Sequence, residues 1–254
     1  MSWINKIDRA KQHLEELQKE ISVFFKLQPY RISTKRDPKT KRLIYYLTDV
    51  MSVPDKIALI SGDIVQNLRS ALDHLAYDLF MKENKETLSA KHIYFPIEKD
   101  LQTYEREKVR KTKGISSDKL KLIDSIRPYK GGNDTLWAIA TLNNIDKHRL
   151  LMTVGSTFGS VDVGALMIAQ MRKLMKNKDI PDIPVFIRPA DNLFPLKRGD
   201  ELFIDSPDAE VNHKMQFRFE VVLNEKDIVE GQPVITALES MIKEVEKLIP
   251  IFKK

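Results

Sequence analysis

Residues 66–79 read QNLRSALDHLAYDL, and the fold turns on how this stretch is taken. Leu68, Leu72, Leu75 and Leu79 recur every three or four residues, the spacing of one apolar helix face. Carried backwards, the same period takes in Ile64 and Ile60 as far as Pro54, a residue favoured in the first turn of a helix. Carried forwards, it stops at the polar run KENKETLS, 82–89. The reading is one long helix over about 54–82. Threaded through it are groups that a simple core helix does not need: Asn67, Arg69, Asp73, His74 and Asp78. At about 100° per residue, Asp63, Asn67, Ser70, His74 and Asp78 share one stripe, while Arg69 and Asp73 stand one turn apart on another side, spaced for an ion pair. Part of this polar set borders the core, where an unbonded polar group costs on the order of a few kcal/mol, so partners are expected on another element.

A second unusual stretch supplies candidates. TLNNIDKHRLL, 141–151, crowds Asn143, Asn144, Asp146, Lys147, His148 and Arg149 onto a helix read as 134–151, whose apolar residues are Leu136, Trp137, Ile139, Leu142, Ile145 and Leu150. The two helices are expected to be neighbours, with His74 or Asn67 within reach of Asn144, Asp146 or His148. Such a network either performs chemistry or only fixes helix register.

Working outward, residues 3–27 carry Ile4, Ile7, Leu14, Leu17, Ile21 and Phe24 at helical spacing, and two β-prone runs flank Asp37 and Pro38, predicting a hairpin over 30–48 with a basic tip. The charged segment 100–113 has no clear period and reads as a solvated loop or frayed helix. Ser116, Ser117 or Asp118 caps a short helix up to Arg127, and Pro128 with KGGND, 130–134, ends it. Residues 155–225 read mainly as strands, with Phe217, Phe219, Val221 and Leu223 marking one buried face and 165–178 open to a helical reading. The stretch 232–252 returns to helical spacing. The expected architecture is α+β: a mainly helical bundle with an N-terminal β-hairpin and a small antiparallel sheet inserted before the C-terminal helix. One domain is expected over 1–254, with 1–154 and 228–254 forming the bundle and 155–227 a β-rich insert.

Composition narrows the function. The 254 residues are 42% hydrophobic and 31% charged, enough for a full core. The absence of cysteine excludes disulfides, thiolate metal sites and a cysteine nucleophile, and fits a cytoplasmic protein. No signal-peptide pattern or membrane span is read, so no membrane partner is expected. The net charge of +6 leans towards a polyanionic partner, and Lys35, Arg36, Lys39, Lys41 and Arg42 at the hairpin tip are the candidate RNA contacts, against the alternative of a solvated turn. Neither polar helix carries HExxH or Glu-x-x-His, and no glycine-rich phosphate loop is present, so no metal or cofactor is expected.

GDIVQNLRSALDHLAYDL (62–79), the FPI that follows, IRPYK (126–130) and LNNIDKHRLL (142–151) together resemble a widespread bacterial family of uncharacterised proteins, over roughly 55–151. Arg69 and His74 are also similar to the R-x-x-x-x-H signature of the HEPN superfamily of helical ribonucleases. That resemblance implies a homodimer cleaving RNA without metal, in the role of a toxin or phage-defence protein, through attack by the strand's own 2′-hydroxyl. Arg69 would contact the scissile phosphate, His74 would serve as acid or base, and Asn67 and Asp73 would orient them. The alternative is a non-enzymatic interaction or ligand-binding bundle in which the polar residues are structural.

Overall fold

The computed structural model describes residues 2–83, 91–156, 161–162, 186–187, 194–213, 215 and 217–252. The first helix, α1 (Ser2–Lys26), buries Trp3, Ile7, Ala10, Leu17 and Phe24, with Ile4, Leu14 and Ile21 at the edge of the stripe. Both sets satisfy the helical period. The one holding the larger rings faces inward because it removes more apolar area from water.

Pro54 precedes α2 (Asp55–Glu83), within a residue of the expected limits. After it come α3 (Leu101–Lys111), α4 (Ser117–Ile126), α5 (Asp134–Asp146), α6 (Val234–Glu246) and the short α7 (Ile249–Phe252). α2 packs against α5 and α6, which also pack against each other. Small buried residues on α2, among them Ala58, Ser61, Gly62, Ala71 and Ala76, let the axes approach, and Leu68, Leu72, Leu136, Leu142 and Leu238 fill the interior.

Three expectations about the helices need correction. Residues 101–111 form a regular helix, capped by the Asp100 carboxylate accepting from the Thr103 N–H. Its apolar period is missing because only Tyr104 of this helix is buried; the Tyr104 hydroxyl and the Lys108 ammonium both donate to Asp124 on α4, at 2.6 and 2.9 Å. α5 stops at Asp146 rather than near Leu151, and Arg149 beyond its end bonds Glu225. The last helix breaks after Glu246 into α6 and α7, with Pro250 in the first turn of α7.

The hairpin forms as read: β1 (Tyr30–Arg36) pairs antiparallel with β2 (Leu43–Val50) from Tyr30↔Val50 to Arg36↔Leu43, with a bulge after Arg31. At its tip the Asp37 carboxylate accepts from the Lys39 and Thr40 N–H groups and the Thr40 hydroxyl. Those bonds hold its pKa below the ordinary value. Four short strands come next: β3 (Thr153–Ser156), β4 (Val161–Asp162), β5 (Phe186–Ile187) and β6 (Glu201–Ile204), followed by β7 (Glu220–Leu223). β6 joins the hairpin antiparallel to β2, β3 pairs with β7, and β4 with β5. Val222 is as buried as Val221 and Leu223, so β7 is enclosed on both faces and lacks the alternation expected of it. Residues 165–178 lie outside the described residues.

The class is therefore α+β. The chain forms two compact units: Met1–Ile21, Asp55–Met152 and Glu225–Lys254 make the helical one, and Ser22–Pro54 with Thr153–Asn224 the β-rich one. The hairpin belongs to the second. No described helix is long and apolar enough to cross a membrane.

Candidate functional site

Arg69 and Asp73 lie one turn apart on α2 and form the expected ion pair, Arg69 Nη2 donating to Asp73 Oδ1 at 2.7 Å. Both also grip one distant residue: Arg69 Nη2 donates to the Phe95 carbonyl at 3.0 Å, and the Phe95 N–H donates to Asp73 Oδ1 at 3.1 Å. The pair thus satisfies both main-chain groups of a fully buried phenylalanine and ties the extended segment before Pro96 to α2. The side chains are 16% and 26% exposed, and Arg69 Nη1 is buried with no hydrogen-bond partner. Burial raises the Asp73 pKa above its ordinary value against the opposing pull of Arg69, the Phe95 N–H, Lys111 and Lys147, and the same loss of solvent lowers that of Arg69.

His74 points elsewhere. Five residues beyond Arg69, it stands about 140° around the helix. Its Nδ1 lies 3.1 Å from the Ser2 hydroxyl of α1. Asn67, on the same stripe, donates to the Asp63 carbonyl at 2.8 Å and accepts from Lys6 of α1 at 3.5 Å. Lys56 extends this line of contacts, reaching Glu20 at 2.5 Å.

α2 and α5 are neighbours, as expected, but through other residues. Gly62 faces α5, and a Cβ there would collide with the Asp146 carboxylate. Gly62 lies about 120–140° around α2 from His74 and Asn67, which explains why those two bond to α1 and not to Asn144, Asp146 or His148. Burial, and next the nearby Asp63 carboxylate, push the Asp146 pKa up. Asn143 is buried, whereas Asn144, Lys147 and His148 are exposed. Arg149 forks onto Glu225, Nη1 to Oε1 at 2.8 Å and Nη2 to Oε2 at 2.7 Å, and the Met152 N–H donates to Oε1 at 2.8 Å. Glu225 is 3% exposed, and its bonds to Arg149 and Met152 outweigh burial to hold its pKa below the ordinary 4.5. Nothing in the surrounding VVLNEKD marked it as a buried acid.

The hairpin-tip cations are largely engaged within their own unit. Arg36 donates to the carbonyls of Pro207 and Ala209 at 2.7 and 2.6 Å, and Arg42 to that of Asp205 at 3.4 Å. Lys35 pairs with Glu201 at 2.9 Å and lies over the Tyr46 ring. The side chains of Lys39 and Lys41 make no bond among the described residues. In the same unit the buried Tyr30 hydroxyl, its pKa pushed up to about 12 by burial, abuts the Cα of Gly155, where any Cβ would collide with it. No three His, Asp or Glu among the described residues converge to hold a metal ion. Comparison with protein-family models, curated proteins and solved structures returns no match to the chain.

Proposed function

We propose that the chain is a non-catalytic ligand-binding protein in which the polar residues of the two motifs hold the helical unit together. The observation that carries this reading is the state of Arg69. A phosphate could reach its guanidinium only by displacing the bonds to Asp73 and Phe95, leaving a buried carboxylate and a buried carbonyl uncompensated. Arg69 and His74 also diverge within the protomer, and His74 is engaged by Ser2. RNA binding draws little support from the hairpin tip, where Arg36, Arg42 and Lys35 spend their charge on their own chain.

The test is incubation of the full-length chain with end-labelled cellular RNA in excess chelator. No cleavage above the buffer control is expected. Arg69→Ala should cost about 3 kcal/mol of stability, the order found when one partner of a buried pair is removed. His74→Ala, at a half-buried position with one hydrogen bond, should cost about 1 kcal/mol. Chelator-resistant cleavage by the wild type that disappears in a normally melting Arg69→Ala variant would overturn the proposal.

A further inference from the structure

At one end of the helical unit, beyond the contacts that join α1 to α2, lies a cavity of about 260 Å³. Trp3, Leu75, Leu79 and Phe252 line it and are at most 2% exposed, so they form its floor, while Met81, Asp78 and Lys82 lie nearer solvent at its mouth. Asp78 and Lys82 stand four residues apart on α2, acid before base, the order in which helical ion pairs form most readily. Neither makes an ion pair or hydrogen bond among the described residues. Asp78 continues the stripe whose earlier members, Asn67 and His74, are satisfied by Lys6 and Ser2 of α1.

We propose that this cavity is a binding site for a free α-amino acid with a large apolar or aromatic side chain. An aliphatic cavity of about 150 Å³ takes benzene, so a phenyl or isobutyl group fits the space available here. Leu75, Leu79, Trp3 and Phe252 present an apolar surface to it, and ring-on-ring contact favours the aromatic members of the class. The two unpaired charges of opposite sign at the mouth match a zwitterion, whose carboxylate pairs with Lys82 and whose ammonium pairs with Asp78. A peptide end supplies one of these charges and a fatty acid or an amine only one, which leaves the other rim group without a partner. A polar amino acid supplies both charges but leaves the floor unfilled.

This rests on reading the chain as a binding protein, yet the two fail separately: RNA cleavage would end the non-catalytic reading without touching this site. The full-length chain is titrated with L-phenylalanine, 2-phenylethylamine, 3-phenylpropionate and L-serine, followed by calorimetry and tryptophan emission, since Trp3 lies in the floor. Saturable binding of L-phenylalanine is expected, with each single-charge analogue and L-serine at least tenfold weaker. Asp78→Asn and Lys82→Met should each weaken binding about tenfold at unchanged melting temperature, Lys82→Arg should retain it, and Met81→Trp, which fills the mouth, should abolish it. Absence of saturable binding by L-phenylalanine would overturn the assignment. So would equal affinity for the single-charge analogues, or charge variants that bind as the wild type does.

Discussion

Between α2 and α5 a carboxylate is laid on a glycine, Asp146 on Gly62. Glycine inside a helix costs about 1 kcal/mol relative to alanine, so Gly62 would be improved by alanine if the helix stood alone. The Asp146 carboxylate removes that option. Gly62→Ala should therefore destabilise the chain by about 1–3 kcal/mol, the range for overpacking, despite the better helix former. The double variant Gly62→Ala with Asp146→Ala should recover most of the loss. Chemical denaturation of the four proteins of this cycle checks the coupling, and strict additivity would refute it.

At the scale of elements, the hairpin acts as a clamp. Its tip is shaped by the Asp37 turn, and Arg36 and Arg42 then hold main-chain carbonyls in 205–209, just after β6 has paired with β2. Charge-assisted bonds to carbonyls are worth more than neutral ones, though solvent exposure discounts them here. Arg36→Ala should speed amide exchange across 205–209 and in β6, while α2 and α5 keep their protection. Unchanged exchange at 205–209 would mean that the loop is held by other contacts. α3 escaped the apolar period because a helix with a cap, i to i+3 ion pairs and one buried tyrosine has no apolar stripe.

For the whole molecule, acid stability follows from the direction of each carboxylate's shift. Glu225 and Glu244 are held below their ordinary 4.5, so they stabilise the fold above that pH, and this contribution is lost as pH falls through their folded values. Asp73 and Asp146 are raised above 3.8, so their contribution has the opposite sign, present below that pH and lost as pH rises through their folded values. Glu225→Gln should accordingly melt well below the wild type at pH 7, with the two curves converging as the pH drops below about 4.5. Melting temperatures that stay parallel from pH 7 to 3 would show that Glu225 is not the group being titrated. What the sequence determined by itself was carried by local period and local chemistry: the limits of α2, the hairpin and its turn, the α+β class and the Arg69 to Asp73 pair one turn apart. Tertiary structure alone decided where the remaining polar groups went. Phe95 completes the Arg69 and Asp73 clamp from 26 and 22 residues away, Glu225 captures Arg149 from 76, and β6 joins β2 across more than 150 residues. The physical reason is that spacing along a helix sets the angle at which a side chain leaves its own axis, and this angle separates His74 from Arg69 and Gly62. Which element waits at that angle depends on how the apolar faces pack, and that is settled by the chain as a whole.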